Sequence, residues 1–599
     1  MKPTTEILAR ISQNSLANKE EVFTKLYRYL LRPDIYFVAY KNLYANNGAA
    51  TKGVNEDTAD GFSEAKIDSI IKALADETYQ PMPVRRTYIQ KKNNRKKLRP
   101  LGIPTFTDKL VQEVLRMILE AVYEPIFLDV SHGFRPKRSC HTALKQLRRE
   151  FNGTRWFVEG DIKGCFDNIN HAVLVGLLNN KIKDARITKL IYKFLKAGYL
   201  ENWQYHKTYS GTPQGGIISP LLANIYLHEL DKFVMKLKSE FDTPGVGQIT
   251  PEYRELHNEI KRLSHRLTKV TGEEREMVLA EYKPKRQKLM TIPCTAQTDK
   301  KLKYVRYADD FLIAVKGNRE DCQWIKSKLA EFIGDTLKME LSEDKTLITH
   351  SSKCARFLGY DVRVRRSGKI KRGGPGHVKM RTLNGGVELL VPLNDKIRQF
   401  VFTKGVAIQK KDGSMFPVHR KYLVGLTDLE IVSVYNAELR GICNYYGMAS
   451  NFCKLHYLAY LMEYSCLKTL ASKHKTSLSK TIDKFNDGTG KWGIPYETKQ
   501  GNKRRYFANY ADCKGKGPAT DYISNAVVYG YAVNTLENRL KAKVCELCGT
   551  TESDHYEVHH INKLKNLKGK ERWEIAMIAK HRKTLVVCRD CHRSIIHKK

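Results

Sequence analysis

Carboxylates and thiols carry the strongest chemical signals in this chain. Arg155-Trp156-Phe157-Val158-Glu159-Gly160-Asp161 reads as a strand that ends in an acid. Lys303-Tyr304-Val305-Arg306-Tyr307 and Phe311-Leu312-Ile313-Ala314-Val315 flank Ala308-Asp309-Asp310, a hairpin pattern with two acids at its tip. Magnesium prefers oxygen ligands and keeps part of its shell for phosphate. A pair of such ions is what nucleotidyl transfer needs, one activating a hydroxyl and one neutralising the triphosphate. Asp161, Asp309 and Asp310, brought together from neighbouring strands, are enough to hold them. Adjacent acids alone are more often a solvated turn, so the weight of the case falls on what surrounds them.

The thirteen cysteines fall into two groups. Nine are scattered singly from Cys140 to Cys513, as reduced thiols in an intracellular protein are. Cys545-Glu546-Leu547-Cys548 and Cys588-Arg589-Asp590-Cys591 form two Cys-x-x-Cys pairs, the spacing of a four-thiolate structural zinc site. A segment of some 55 residues gains a metal staple that way.

At 599 residues, three to five domains must position these groups. The net charge of +40, from 104 Lys+Arg against 64 Asp+Glu, favours a polyanionic partner, nucleic acid before an acidic membrane. No apolar run approaches a membrane span, and Met1-Lys2-Pro3-Thr4-Thr5-Glu6 lacks a secretory leader's apolar stretch. Residues 1 to about 80 have helical patterning, with Val22, Leu26 and Leu30 on an apolar face. Val84 to Ile103 predicts a β-hairpin turning at Asn93-Asn94, with eight cations and no acid among its named charges. Thr107-Asp108 is expected to open an amphipathic helix through Val111, Val114, Leu115 and Ile118. The charged stretch from Thr250-Pro251 to about Lys288 predicts a helical hairpin insertion. Thr427-Asp428-Leu429-Glu430 is a capping box leading into Ile431, Val434, Tyr435, Leu439, Ile442 and Tyr446. Residues 481–543, rich in Gly, Lys and Tyr, show no clear pattern.

Tyr307-Ala308-Asp309-Asp310 resembles the hallmark turn of reverse transcriptases, and Asp161-Ile162-Lys163-Gly164-Cys165-Phe166 resembles their first palm motif. The resemblance implies a steric gate at Phe166 against the ribose 2′-hydroxyl. Thr212-Pro213-Gln214-Gly215-Gly216 is similar to the motif lining the nucleotide pocket, which implicates Gln214. Arg99-Pro100-Leu101-Gly102-Ile103-Pro104 is similar to the fingers motif, making Arg99 and Lys97 candidates for the triphosphate. Leu341-Ser342-Glu343-Asp344-Lys345-Thr346 resembles the motif whose lysine protonates pyrophosphate. Phe357-Leu358-Gly359-Tyr360 resembles the primer-grip turn. For Phe166 and Lys345 taken singly, a core aromatic and a surface cation are the plain alternatives.

Ser131-His132-Gly133-Phe134-Arg135-Pro136, and Arg440-Gly441-Ile442-Cys443-Asn444-Tyr445-Tyr446 in the helical stretch, resemble group II intron-encoded proteins more closely than retroviral enzymes. Glu557-Val558-His559-His560-Ile561 with His592 looks like an HNH nuclease, in which a ββα unit holds one divalent ion. That pattern implies His559 and His592 as metal ligands and His560 as general base. No asparagine stands just ahead of Cys588, where Arg582-Lys583-Thr584-Leu585-Val586-Val587 occurs; Asn562 and Asn566 are the candidates for the middle position, which stays open. A zinc-stapled DNA-binding knuckle without cleavage is the plainer reading.

The fold class implied is multidomain α+β: right-hand polymerase fingers and palm, a helical thumb, a DNA-binding region and a small zinc-stapled ββα domain. The expected bounds are 1–80 for an RNA-binding extension of the fingers and 81–365 for fingers and palm, with an insertion at about 247–292. The thumb or maturase domain follows at 366–480, a DNA-binding region at 481–543 and the HNH domain at 544–599. The implied function combines RNA-directed DNA polymerisation, assistance to splicing and cleavage of target DNA to expose a primer. Partners would be the intron RNA, target DNA and dNTPs, with Mg2+ and Zn2+ as cofactors, no membrane, and a homodimer within the family's range. The place would be the bacterial cytoplasm, as a nucleoid-associated ribonucleoprotein. A splicing cofactor with silent enzymatic sites is the alternative. A cellular or defence reverse transcriptase without an intron is a third reading, against which the maturase-like and nuclease-like segments count.

Overall fold

The computed structural model describes residues 3–46, 48–91, 94–201, 204–212, 215–244, 248–294, 299–367, 369–373, 378–380, 382, 384–498, 501–514 and 535–597. The chain is mixed α/β. Its organising element is a four-stranded sheet in the spatial order Lys301–Tyr307, Asp310–Lys316, Trp156–Asp161 and Ile348–His350, antiparallel throughout. Asp310–Lys316 is a continuous apolar run because both of its faces are covered. Phe311, Ile313 and Val315 enter one core, which contains helices Ser219–Phe241 and Arg319–Asp335. Leu312 and Ala314 enter a second, shared with Cys140–Glu150 and the C-terminal helices. The two-residue side-chain period of one strand thus joins two cores.

On the N-terminal side, helices Thr4–Ala17 and Pro33–Tyr44 pack against Phe106–Tyr123, which is buried almost all round. That helix starts at Phe106, one residue before the expected Thr107-Asp108. Thr105, with extended backbone after Pro104, is the cap, and its hydroxyl oxygen accepts from the Asp108 N–H at 3.2 Å. Val22 is not on a helical face. The first helix has ended at Asn18, and Val22 is 45% exposed in an extended segment where Phe23 bridges to Ile182.

Strands Val84–Lys91 and Asn94–Ile103 form an antiparallel hairpin; of the expected turn pair, Asn93 lies outside the described residues and Asn94 pairs with Lys91. The hairpin gains a parallel neighbour, Tyr199–Glu201, which the sequence did not announce. Helices Pro251–Leu267 and Gly272–Leu289 follow; the first buries only Leu256, Ile260 and Leu263, the second only Val278.

Asp428–Tyr445 begins with a reciprocal capping box between Thr427 and Glu430. Its buried face runs through Ile431, Val432, Tyr435, Asn436, Leu439 and Cys443, while Val434 and Ile442 sit half-buried beside it. Asn436 joins the buried face because its amide donates to the Tyr506 carbonyl at 2.8 Å and its carbonyl accepts from the Ala508 N–H at 2.7 Å. The Gly493–Thr498 and Gly501–Tyr506 hairpin therefore covers that side. At the C-terminal end, antiparallel strands Tyr556–His560 and Thr584–Cys588 lead into helix Arg589–His597. No helix among the described residues is long and apolar enough to cross a membrane.

Candidate active sites

The palm-like sheet places the acids by register. Asp161 is paired across the strands with Asp310, and Tyr307 with the same Asp310, so Ala308-Asp309 forms the tight turn beside Asp161. Ala308 takes a left-handed φ of 56°. Gly133 presses on the turn: a β-carbon there would lie 2.3 Å from the Ala308 nitrogen, so no larger residue fits. Gly160 is likewise required, since its β-carbon would enter the Phe311 ring at 2.1 Å.

Beneath the turn lies a charged group that the sequence reading passed over. Arg306 is fully buried and paired with equally buried Asp231, both oxygens of which it engages, from Nε at 2.7 Å and Nη2 at 2.6 Å. Its other donations go to Ser131 Oγ at 2.8 Å, Asn224 Oδ1 at 3.3 Å and the Ala308 carbonyl at 2.9 Å. All five guanidinium N–H groups are thereby used. Asn224 and Asp231 stand two turns apart on one face of Ser219–Phe241, and the Asn224 amide also donates to the Gly133 carbonyl at 2.8 Å. One arginine thus ties the hallmark turn to the helix behind it and to the loop above it.

The acids repel one another. Asp310 is exposed at the end of its strand, with protein crowded around its carboxylate. That desolvation, with the negative charges of Asp309 and Asp161, pushes its pKa up to about 7. Desolvation raises Asp309 as well, with Asp161 adding to it and Arg99 opposing. Lys345 donates to Asp161 Oδ2 at 2.7 Å, and that bond raises its own pKa. The lysine is delivered there because Ser342 N–H donates to the Asp161 carbonyl at 2.9 Å and Leu341 bridges to Ile162.

Phe166 is half-buried, edge-on to Phe134 with ring centroids 6.1 Å apart. Tyr307 is half-buried and Arg99 exposed. The Lys97 side chain and Gln214 lie outside the described residues, although neighbouring Gly215 abuts the Gly102 carbonyl. The primer-grip-like turn is fastened from the C-terminal helices: Tyr445 Oη donates to the Leu358 carbonyl at 2.6 Å and Tyr446 Oη to the Gly359 carbonyl at 3.2 Å.

In the C-terminal module the sulfurs of Cys545, Cys548, Cys588 and Cys591 lie within 4.8 Å of one another, a compact thiolate set compatible with zinc. His559 and His592 are brought together by strand Tyr556–His560 and helix Arg589–His597, both nearly inaccessible. Glu557, which sequence reading missed, shares the strand face of His559 and meets His592 Nδ1 at 2.5 Å. Burial lowers the His592 pKa, but the carboxylates of Asp60 and Glu557 outweigh it and raise the ring to about 9. His560 is lowered by burial, against the raising effect of the Tyr44 carbonyl it contacts. Asn562 and Asn566 are both exposed, and the residue opposite His560 in the sheet is Thr584.

A sheet that juxtaposes three acids, joined in one chain to a cysteine-stapled ββα unit, defines a nucleotidyl-transferring polymerase carrying a nuclease-like module. Comparison with known proteins specifies it. Family models match for reverse transcriptase (RNA-dependent DNA polymerase) at residues 89–243 and 284–362, type II intron maturase at 387–525, and AI2M/AI1M-like HNH endonuclease at 545–592. The chain is 72% identical over 600 residues to the group II intron-encoded protein LtrA of Lactococcus lactis subsp. cremoris, covering all of both chains. It is 36% identical to an uncharacterised 91 kDa protein in a cob intron of Schizosaccharomyces pombe, over 95% of this chain and 69% of that one. It is 26% identical to nuclear intron maturase 2 of Arabidopsis thaliana, over 84% and 69% respectively. The chain belongs to the group II intron-encoded proteins, with reverse transcriptase, maturase and HNH endonuclease domains.

Proposed function

We propose that this group II intron-encoded protein performs retrohoming with its own residues in the following roles. Asp161, Asp309 and Asp310 hold the magnesium ions of the polymerase; bound there, the ions activate a primer hydroxyl and neutralise the triphosphate. The donor set fits, since it is all oxygen and its mutual repulsion needs a cation. The register that sets Asp161 across the strands from Asp310, with Asp309 in the turn beside them, is the observation that carries the assignment.

Lys345, already on the rim of the acids, is placed to give a proton to departing pyrophosphate. Phe166 packs edge-on to Phe134 where it can exclude a ribose 2′-hydroxyl, and exposed Arg99, with Lys97 and Gln214, meets the incoming nucleotide. Fingers, palm and thumb follow from this placement, with residues 1–80 and 366–480 gripping the intron RNA through cations and aromatic rings. Residues 481–543 contact target DNA. In the 544–599 module, Cys545, Cys548, Cys588 and Cys591 hold a structural zinc. His559 and His592 hold the nuclease ion, and His560 takes the proton from the attacking water. A splicing cofactor with silent sites would need none of these assembled groups.

One preparation assayed three ways tests the proposal. His560→Ala is expected to slow target-strand cleavage by about 10²- to 10⁴-fold, the usual contribution of a general base. cDNA synthesis on a supplied primer and intron splicing should be kept. Cleavage at the native rate would remove His560 from its role.

A further inference from the structure

The nuclease histidines face a residue from the opposite end of the chain. Residues 60–62 run along the free edge of strand Tyr556–His560. Gly61 N–H donates to the Val558 carbonyl at 3.0 Å, and Val558 N–H donates to the Phe62 carbonyl at 2.9 Å. This added strand is anchored from behind: Phe62 is fully buried and stacked on Tyr40 with ring centroids 4.1 Å apart. Gly61, at a φ of 78°, turns the chain so that Asp60 points back at the histidines.

The consequence is a three-residue cluster. Asp60 Oδ1 lies 3.0 Å from His592 Nε2 and 3.3 Å from His559 Nδ1, and it accepts from the His560 backbone N–H at 2.9 Å. Ligand atoms of Asp60, His559 and His592 all fall within 4.8 Å of one another. His559 is 1% exposed; its Nδ1 faces Asp60 at 3.3 Å, while its buried Nε2 has no hydrogen-bond partner. A buried imidazole left that way is costly unless another species takes a lone pair. On its far side His592 meets Glu557, the outer carboxylate arrangement that orients a metal-ligating imidazole. The C-terminal module offers two imidazoles of its own, and an ion that works on phosphate favours carboxylate oxygen.

The same N-terminal segment reaches His560. Its Nε2 lies 3.1 Å from the Tyr44 carbonyl, an acceptor only, so Nε2 carries the proton and Nδ1 keeps the lone pair that a base requires. The Tyr44 ring also packs edge-on to the imidazole at 5.9 Å.

We infer that the nuclease centre is composite: Asp60 is the third protein ligand of the ion held by His559 and His592, and the Tyr44 carbonyl orients His560. The site is then whole only when the C-terminal module is docked on the N-terminal segment. Cleavage of the target is thereby tied to the conformation that seats the nuclease against the polymerase. The inference rests on the nuclease reading of His559 and His592.

Manganese binding to the full-length, zinc-loaded protein tests it. Asp309→Ala/Asp310→Ala serves as background to silence the polymerase ions, and bound Mn2+ is counted by electron paramagnetic resonance. One tight ion per chain is expected. Asp60→Asn should weaken it ~10- to 100-fold, the loss typical when a metal site's supporting groups are removed. His559→Ala should abolish it. In the otherwise native chain, Asp60→Asn should slow nicking while cDNA synthesis on a supplied primer is kept, which shows that the variant is folded. Native Mn2+ affinity in Asp60→Asn, with binding lost in His559→Ala, overturns the role of Asp60 alone. Faster nicking in Asp60→Asn also overturns it, because that is how a carboxylate plugging the site would behave. Undiminished binding in both variants overturns the nuclease reading beneath it.

Discussion

Asp309→Ala combined with Asp310→Ala is expected to cut cDNA synthesis by roughly four orders of magnitude, about 5–6 kcal/mol of transition-state stabilisation. Intron splicing by the same preparation should be unchanged, because RNA binding makes no use of these acids. The loss must not be confused with unfolding, and the electrostatics give a control. The Asp310 pKa stands at about 7 in the folded protein, through desolvation and its two acidic neighbours, against an unfolded value near ~3.9. The folded state therefore holds this proton more tightly than the unfolded state does. The associated stability is present at low pH and is lost as pH rises through about 7. In metal-free buffer at pH 8 the double variant, freed of that repulsion, should unfold at or above the wild-type temperature, and the difference should narrow as pH falls toward ~4. Thermal scans at several pH values alongside primer-extension assays check both halves. Retained cDNA synthesis would refute the ligand assignment.

What the sequence disclosed was mostly local. The Thr427 capping box, the hairpin carrying Asp309 and Asp310 and the paired Cys-x-x-Cys segments each depend on residues a few positions apart, and each is found in the structure. Val22 shows where local pattern fails: a helical period continues on paper through a segment that instead runs extended, with Phe23 bridged to Ile182. The functional groups that escaped notice were missed for the same reason. Asp60 meets His592 across 532 positions, and nothing near residue 60 signals it. Glu557 was within reach, two positions before His559 on the same strand face. Arg306 was in plain sight between Val305 and Tyr307, but a strand's cation is ordinarily read as solvated. Its two-residue spacing from Leu302 and Tyr304, both buried, was the available hint.

Arg306→Met should cost about 3–5 kcal/mol of stability, because it leaves Asp231 as a buried charge without its partner. The pair's own net worth is smaller; most of the penalty belongs to the orphaned acid and to Tyr304, whose hydroxyl donates to Asp231 at 2.9 Å. Replacing Arg306, Asp231 and Tyr304 together with Met, Leu and Phe removes charge and hydroxyl at once and should recover most of the loss. It should not recover polymerisation. In the wild type the guanidinium donates to the Ala308 carbonyl and, through Asn224, steadies Gly133 above the turn. An apolar core can fill the volume but offers no donor, so the left-handed Ala308 and the two acids after it lose their fixed position. A displacement near 1 Å in a catalytic group commonly costs about 10²-fold in rate. Chemical denaturation followed alongside primer extension separates these effects. A stable triple variant that copies RNA at the native rate would reduce Arg306 to a packing residue. A stable variant with slow copying would make it the strut that holds Asp309 and Asp310 against Asp161.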